Sequence, residues 1–410
     1  MRKFKWLIPG MGIKRWVFLC ITGIGLTILG GVLIFREAII YKISGSLSAL
    51  VGIYLTITSI RKMIQFIIGI LLPQRQKKLV DIVYVKRQLS KGPNIVAIGG
   101  GTGLSVLLHG LKEYTSNITA IVTVTDDGGS SGRLRREFDI LPPGDIRNCL
   151  VALADTEPLM RDLFQFRFKG PAGLKGHNFG NLFITAMSEL TGDFEKAIKA
   201  SSKVLAIRGQ VIPSTLKPIT LLARHKDGHT TRGETKITES TKRIDEVFLD
   251  LPYCKSTKEA KDAIKQADAV ILGPGSLYTS IIPNLLIKEL QETITKSKAV
   301  KIYICNVMTQ SHETDGYSAS DHVKAIIRHT NSGIIDYVTI NTQVIPKTFL
   351  LKYKEENAYP VVNDSDKIRE MGYKTIEEDL IDTKDYVRHN SEKLAKTIMN
   401  IISDVKTSYM

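Results

Sequence analysis

Residues 94–111 read NIVAIGGGTGLSVLLHGL, and three patterns meet in them. Asn94 to Ile98 is an apolar run with β-branched residues at 95, 96 and 98, enough for one buried strand. Glycines at 99, 100, 101 and 103 break it. Leu104, Leu107, Leu108 and Leu111 then recur at helical spacing. A strand, a glycine turn and an amphipathic helix in direct succession predict a β–loop–α unit.

The alternation continues to the C-terminus. Residues 118–124 form a second β-branched run, and 269–272, 300–306 and 334–340 read as further strands. Helical spacing recurs at 145–154, 181–190, 193–203 and 258–266, near 283–297, at 320–329, and in a closing amphipathic helix at 386–405. Residues 125–144 read as a long loop. Residues 219–225 and 230–238 flank Lys226-Asp227-Gly228-His229, and Asp-Gly between strand-like runs is a hairpin signal. The pattern predicts an α/β fold: a doubly wound, mainly parallel, Rossmann-like sheet with an antiparallel hairpin insertion. In such sheets ligands sit beyond the carboxyl ends of the strands, where strand order reverses.

A different composition precedes this body. Of 56 Lys and Arg and 41 Asp and Glu, residues 1–92 hold 15 basic side chains against only Glu37 and Asp81. The net charge of +15 therefore belongs to that segment, and no nucleic-acid partner is expected of the nearly neutral body. Residues 16–35 carry no charge, and at about 1.5 Å per residue they span one hydrocarbon core. Residues 43–60 form a second such run behind a seven-residue link. Arg2, Lys3, Lys5, Lys14 and Arg15 precede the pair and Arg61, Lys62, Arg75, Lys77 and Lys78 follow it, so the positive-inside rule puts both ends in the cytoplasm. Ser44, Ser48 and Gly52 predict a small-residue ridge where the helices touch. Residues 63–72 are too short to span and read as an interfacial extension. The length of the first run, the lack of an A-x-A site and the second span argue against a cleaved signal peptide. A buried helical hairpin of a soluble domain is the bland alternative.

These readings divide the chain into a two-span membrane anchor at 1–73, a charged, partly helical linker at 74–92, a body at 93–385 and a C-terminal helix at 386–410. Cys20, Cys149, Cys254 and Cys305 are scattered, with no C-x-x-C or zinc spacing, as in a cytosolic body. At 43% hydrophobic and 24% charged residues, the composition excludes a disordered, collagen-like or disulfide-scaffold protein.

Five loops could carry chemistry. Gly99–Gly103 follows a strand and opens a helix, where amides of Gly100, Gly101 and Gly103 and the hydroxyl of Thr102 can meet a phosphate. Leu104 stands where G-x-G-x-x-G requires glycine, and no Lys follows as in a Walker A loop. The second loop, 125–133, offers Asp126 and Asp127 for ribose hydroxyls or Mg²⁺, Ser130, Ser131 and Gly132 as donors, and Arg133 as a fork for phosphate. The third, 176–181, holds Asn178 and Asn181 for a base or sugar. Its His177 reads more readily as a hydrogen-bonding turn residue than as an acid–base group. The fourth, 273–280, repeats the anion cradle with Gly273, Gly275 and Ser276, and the fifth, 306–310, offers Asn306 and Thr309. For each, plain turn chemistry is the competing reading. No HExxH motif is present, and no nucleophile–base pair stands out in the sequence.

Taken in order, IGGGTGLS, TDDGGSSGRLR, LPPGDIRNCL, GHNFGNL, LAIRGQVIPST, ILGPGSLYTS and CNVMTQ with HETDGYSA resemble the YvcK-type gluconeogenesis factors of the CofD-like superfamily, over about residues 94–345. The resemblance implies a bacterial regulator with no obligatory cofactor. Its implied ligand is a UDP-sugar, UDP-N-acetylglucosamine above all. It further implies a role in gluconeogenic growth and central carbon flux, cell shape and peptidoglycan precursor supply. It leaves room for Mg²⁺, for a homo-oligomer and for a partner enzyme of glucosamine-phosphate synthesis. Asp126 and Asp127 match by position the acidic loop of the superfamily's 2-phospho-L-lactate transferase. Acceptor-binding features of that enzyme are not recognisable, so a CofD-like Mg²⁺-dependent phosphotransferase or nucleotidyltransferase stands as the alternative. The imperfect glycine fingerprint counts against an NAD(P) oxidoreductase.

Overall fold

A computed structural model describes residues 14–71, 86–155, 158–170, 173–383 and 386–408. The chain divides into two units, Met1–Lys86 and Arg87–Met410. Expectations for Arg2, Lys3, Lys5, Arg75, Lys77 and Lys78, and for the linker before residue 86, fall outside the described residues.

In the first unit, helices α1 (Lys14–Ile34) and α2 (Ile39–Leu71) form a hairpin. Both are long and apolar enough to cross a membrane. The turn is shorter than the seven residues expected, because Lys42 is accommodated in the opening turns of α2. Of the separate extension expected at 63–72, residues 63–71 are instead the end of α2, where no proline interrupts the helix, and residue 72 lies outside the described residues. Glycines make the closest approaches of the seam. A Cβ at Gly30 would lie 2.5 Å from Gly45 O, and one at Gly52 would lie 2.6 Å from Gly23 O. Ser48 Oγ donates across the seam to Leu26 O (3.1 Å), whereas Ser44 is exposed and bonds back to Tyr41 O. Ser48 and Gly52 of the expected ridge thus lie on the seam, while Gly45 stands there in place of Ser44.

The second unit is built on seven parallel strands in the order β10-β9-β8-β7-β1-β2-β3. Strand β1 (Ile95–Gly99) is buried along its length. It pairs with β2 (Ile118–Val122) on one side and β7 (Ala269–Leu272) on the other. β3 (Gln210–Pro213) closes one edge, and β8 (Val300–Ile304), β9 (Tyr337–Asn341) and β10 (Lys374–Glu378) complete the other. Val96, Ile98, Val270 and Leu272 face one core; Ile95, Ala97, Ala269 and Ile271 face the other. Strands buried on both faces read as continuous apolar runs, which is why they were visible in the sequence. β3 and β10 sit at the edges, are more polar, and were not recognised.

Helix α3 (Gly101–Leu111) buries Leu104, Leu107, Leu108 and Leu111 against the sheet and the C-terminal helix Ser391–Ser408. The long loop expected at 125–144 contains a helix, α4 (Gly129–Phe138), which its serines and glycines concealed. Next come α5 (Gly144–Leu153), α6 (Pro158–Gln165), α7 (Phe179–Thr191) and α8 (Phe194–Val204). The hairpin insertion is a three-stranded antiparallel sheet: β4 (Leu221–His225) lies between β5 (Thr230–Arg232) and β6 (Ile244–Leu249). The second strand expected, 230–238, stops at Gly233, whose φ of 98° turns the chain into α9 (Glu234–Glu239). The helix expected at 386–405 begins later. Arg388–His389 first pair with Ile381–Asp382, and Asn390 Oδ1 then caps the amides of Glu392 and Lys393.

Candidate functional site

Chain order runs outward from β1 in one direction and from β7 in the other, so strand order reverses between them. The loops following these two strands are the two glycine loops. They meet: a Cβ at Gly103 would lie 2.6 Å from Pro274 O, and one at Gly275 would lie 3.5 Å from Gly100 O. A side chain at Gly103 would force the loops apart, whereas a Cβ at Gly275 would make ordinary van der Waals contact with the first loop.

Together they border a cleft of about 360 Å³. Gly100 to Gly103 form one wall, Gly275, Ser276 and Ser280 another, and Asn306, Met308 and Gln310 a third. Ser276 is tied down from behind: its hydroxyl donates to Glu313 Oε2 (2.5 Å) and accepts from the Thr279 amide (3.1 Å). Burial pushes the Glu313 carboxyl up to about 7. Thr309 does not line the cleft; its hydroxyl accepts from the Tyr359 amide (2.9 Å) and holds that segment.

The fourth wall is Tyr353, Val387, Arg388 and His389, which no motif in the sequence marks. The Tyr353 hydroxyl donates to Val387 O (3.3 Å), joining the short ribbon to the helix Lys347–Glu355. Arg388 is exposed, with its guanidinium 5.1 Å from the Tyr386 ring. Burial pulls the His389 imidazole down to about 4, so the ring is neutral, and its Nε2 has no protein partner. An Arg-His pair inside an apparent amphipathic helix gave no signal of this role.

Behind the glycine loop lies an acidic pocket. The Gly101 amide donates to the buried carboxyl of Asp145, and a Cβ at Gly100 would lie 2.5 Å from Asp145 Oδ2. Burial pushes Asp145 up to about 7, and the charge of Asp126 adds to the rise. Asp126 is itself raised, mainly by burial; its Oδ1 accepts from the Gly128 amide (2.9 Å). Glu234, on α9, is raised by burial and then by the charge of Asp145, and accepts from the Thr125 hydroxyl (3.3 Å). Arg147 is the cation coupled to Asp126 and Asp145, and its own pKa falls to about 10, chiefly through burial. Asp145 and Glu313 stand in stretches recognised as motifs but not assigned; Glu234 comes from the insertion and carried no local signal.

Asp127 points elsewhere. Its Oδ1 accepts from the amide and hydroxyl of Thr235 (2.9 and 2.7 Å), fastening the insertion to the sheet. Asp127 is thus engaged with the insertion, while Asp126 stays with the carboxyls beside the glycine loop. Among the described residues no group of three or more His, Cys, Asp or Glu side chains is arranged to hold a metal ion.

The second and third loops lock together beside this pocket. Ser130 Oγ lies 3.2 Å from His177 Nδ1 and accepts from the Asn178 amide (3.2 Å). Asn178 caps α7 through the Asn181 amide (3.2 Å) and donates to Gln165 O (2.9 Å), so both ends of its side chain are engaged. Asn181 reaches Ser131 Oγ at 3.5 Å and keeps a buried, unpartnered Oδ1. Arg133 donates to Lys175 O (2.9 Å), and a Cβ at Gly132 would collide with Asp127 O. Gly273 has a φ of 82° and is packed against Ile281. A cavity of about 960 Å³ lies at the opposite end of the sheet beside Lys301, Tyr337 and Lys374, and none of the five loops lines it.

Comparison with known proteins places this geometry. The profile of the 2-phospho-L-lactate transferase CofD family matches residues 95–381. A putative gluconeogenesis factor of Nostoc sp. is 44% identical, over 97% of this chain and 92% of its own length. The gluconeogenesis factor of Bacillus subtilis is 48% identical, over 77% of this chain and all of its own length. The crystal structure of protein BH3568 from Bacillus halodurans superposes with a TM-score of 0.73 at 49% identity, covering 75% of this chain and 99% of that one. The chain therefore belongs to the gluconeogenesis factors of the CofD-like family.

Proposed function

We propose that this gluconeogenesis factor is a UDP-sugar-binding regulator held at the bacterial cell membrane by its first unit, with both termini and the body in the cytoplasm. The observation that carries the reading is the meeting of two glycine loops at the point where strand order reverses, on the rim of one cleft. The N-terminus of α3 on this rim suits a diphosphate, since a helix N-terminus favours an anion. Arg388 supplies a cation on the facing wall, and Asn306 and Gln310 supply amides for uracil or sugar hydroxyls. The volume suits a small ligand, for which clefts of roughly 300–1,000 Å³ are usual. UDP-N-acetylglucosamine is the ligand we favour. Sensing it would connect carbon flux to peptidoglycan precursor supply and cell shape, through a partner enzyme of glucosamine-phosphate synthesis.

Titration calorimetry of residues 87–410 with UDP-N-acetylglucosamine tests the reading. Saturable binding without turnover is expected, weakened by Arg388→Ala; absence of heat with every UDP-sugar would refute it.

A second reading, a transferase of a phosphorus-containing group, draws on the buried carboxyls of Asp126 and Asp145 beside the glycine loop. Incubation with candidate donors and acceptors, with and without Mg²⁺, followed by mass spectrometry, decides it. Product that disappears in Asp126→Asn supports turnover; unchanged donors exclude it.

A further inference from the structure

Helix α6 is apolar on two faces. Phe164 points inward and is 1% exposed, with its ring 5.9 Å from Phe179 and 5.0 Å from Phe183. On the outer side Leu159, Leu163 and Phe166 follow at i, i+4 and i+7, at 79%, 39% and 50% exposure. Leu174 adds to them at 46%. The stretch after α6 is pinned by the Phe168 amide to His177 O (2.9 Å) and by the Phe179 amide to Phe166 O (2.9 Å), so these side chains are presented from a folded ribbon. Soluble surfaces show single exposed leucines routinely, but a stripe of this kind marks an interaction site.

Charge says which kind. Residues 158–176 carry Arg161, Arg167, Lys169 and Lys175 against Asp162 alone, in a body whose remaining charges nearly cancel. Apolar side chains flanked by basic ones suit an interface with anionic lipid: the apolar groups enter the headgroup boundary and the cations meet phosphates. A bilayer is within reach on the reading that α1 and α2 cross one. Fourteen residues, 72–85, separate α2 from the described body, and a chain of that length extends at most about 50 Å. Tethering of this kind raises the effective concentration of a weak surface contact.

We propose that the face formed by residues 158–170 and 173–176 docks the body on an anionic lipid surface. The contact is separate from the cleft and from the membrane-crossing helices. It rests on the membrane reading only for the tether, and the test removes the tether.

The test uses residues 87–410, which correspond to the unit that the Bacillus relative crystallises as nearly its whole chain. The unit is sedimented with vesicles of phosphatidylcholine alone or with 30% phosphatidylglycerol, at low and high salt. Partitioning is expected to rise at least about tenfold with the anionic lipid at low salt and to fall as salt screens it. Leu159→Ser with Phe166→Ser should abolish the rise, and so, independently, should Lys169→Glu with Lys175→Glu, which alters only exposed side chains. Equal partitioning onto both vesicles overturns the proposal, as does binding that survives both pairs. A body that is dimeric in solution, and that either pair makes monomeric, also overturns it by assigning the face to a second copy. Loss of UDP-sugar binding with vesicle binding intact would instead count against the cleft.

Discussion

Replacing Asp145 by Asn probes the acidic pocket most directly. The carboxyl titrates at 3.8 in a free chain and at about 7 in the fold, because burial and then the Asp126 charge disfavour ionisation. An acid whose folded pKa lies above its unfolded one destabilises the fold as it ionises. The cost is absent below about pH 4 and grows until pH exceeds 7. Three units at about 1.4 kcal/mol each bound it at ~4 kcal/mol, reached near pH 8, against ~1.7 kcal/mol at pH 5. Asn preserves the shape, its oxygen can accept the Gly101 amide, and it removes one of two repelling charges. The variant should therefore gain on the wild type by up to ~2.5 kcal/mol between pH 5 and pH 8. For a body of this size that is about 3–4 °C in Tm. Thermal unfolding of residues 87–410 at half-unit pH steps measures it. A gap between the two proteins that stays constant with pH, or narrows as pH rises, would refute the assignment of a buried, proton-holding carboxyl.

At Gly103 a side chain must push Pro274 away, an overpacking worth about 1–3 kcal/mol. Gly103→Val should therefore weaken UDP-sugar binding at least about tenfold while circular dichroism stays native; calorimetric affinity equal to wild type would contradict the closed contact of the two loops. In the hairpin, a Cβ at Gly52 would lie 2.5 Å from Thr27 Oγ1. Gly52→Leu should abolish disulfide cross-linking between cysteines placed at positions 26 and 48, which Ser48 now joins by a hydrogen bond, in a chain carrying Cys20→Ala. Undiminished cross-linking would show that the glycine seam is not what brings α1 and α2 together.

What could be read from sequence follows the physics of burial. β1, β2, β7 and β8 are covered on both faces, so they are mainly apolar runs, broken only by Thr119 in β2 and Lys301 in β8, and such runs are visible. Edge strands β3 and β10 have exposed positions and lose that signature. The loop at 125–144 reads as irregular because Gly128, Gly129, Ser130 and Ser131 are turn formers. Three of those four nonetheless begin α4, whose Leu134 is buried and whose Arg135 bonds to Ile219 O. The glycine loops were legible because their backbone needs are written in residue type. Glu234, Arg388 and His389 were not, because they approach from an insertion and a ribbon distant in sequence, and only the tertiary fold brings them to the strand ends. Asp127 shows the converse. It has the right type and position for metal chemistry, yet Thr235 claims it for joining two sheets.

The acidic pocket also constrains how the cleft can hold an anion. Asp145 accepts from the Gly101 amide, so its carboxyl lies against the glycine loop that borders the cleft. A diphosphate diester keeps its charges throughout pH 5–8, and its arrival must raise the proton affinity of every carboxyl nearby. Asp145 and Glu313, at about 7, are poised to respond, while the coupled cation, Arg147, is already shared between Asp126 and Asp145. Binding should accordingly take up protons and tighten as pH falls from 8 to 6. Calorimetry in buffers of different ionisation enthalpy reads that uptake directly. Its disappearance in Asp145→Asn would assign part of it to this residue. An affinity indifferent to pH would mean that the anion lies too far from the glycine loop to feel the carboxyl behind it, and the proposed seat of the diphosphate would have to move toward Arg388.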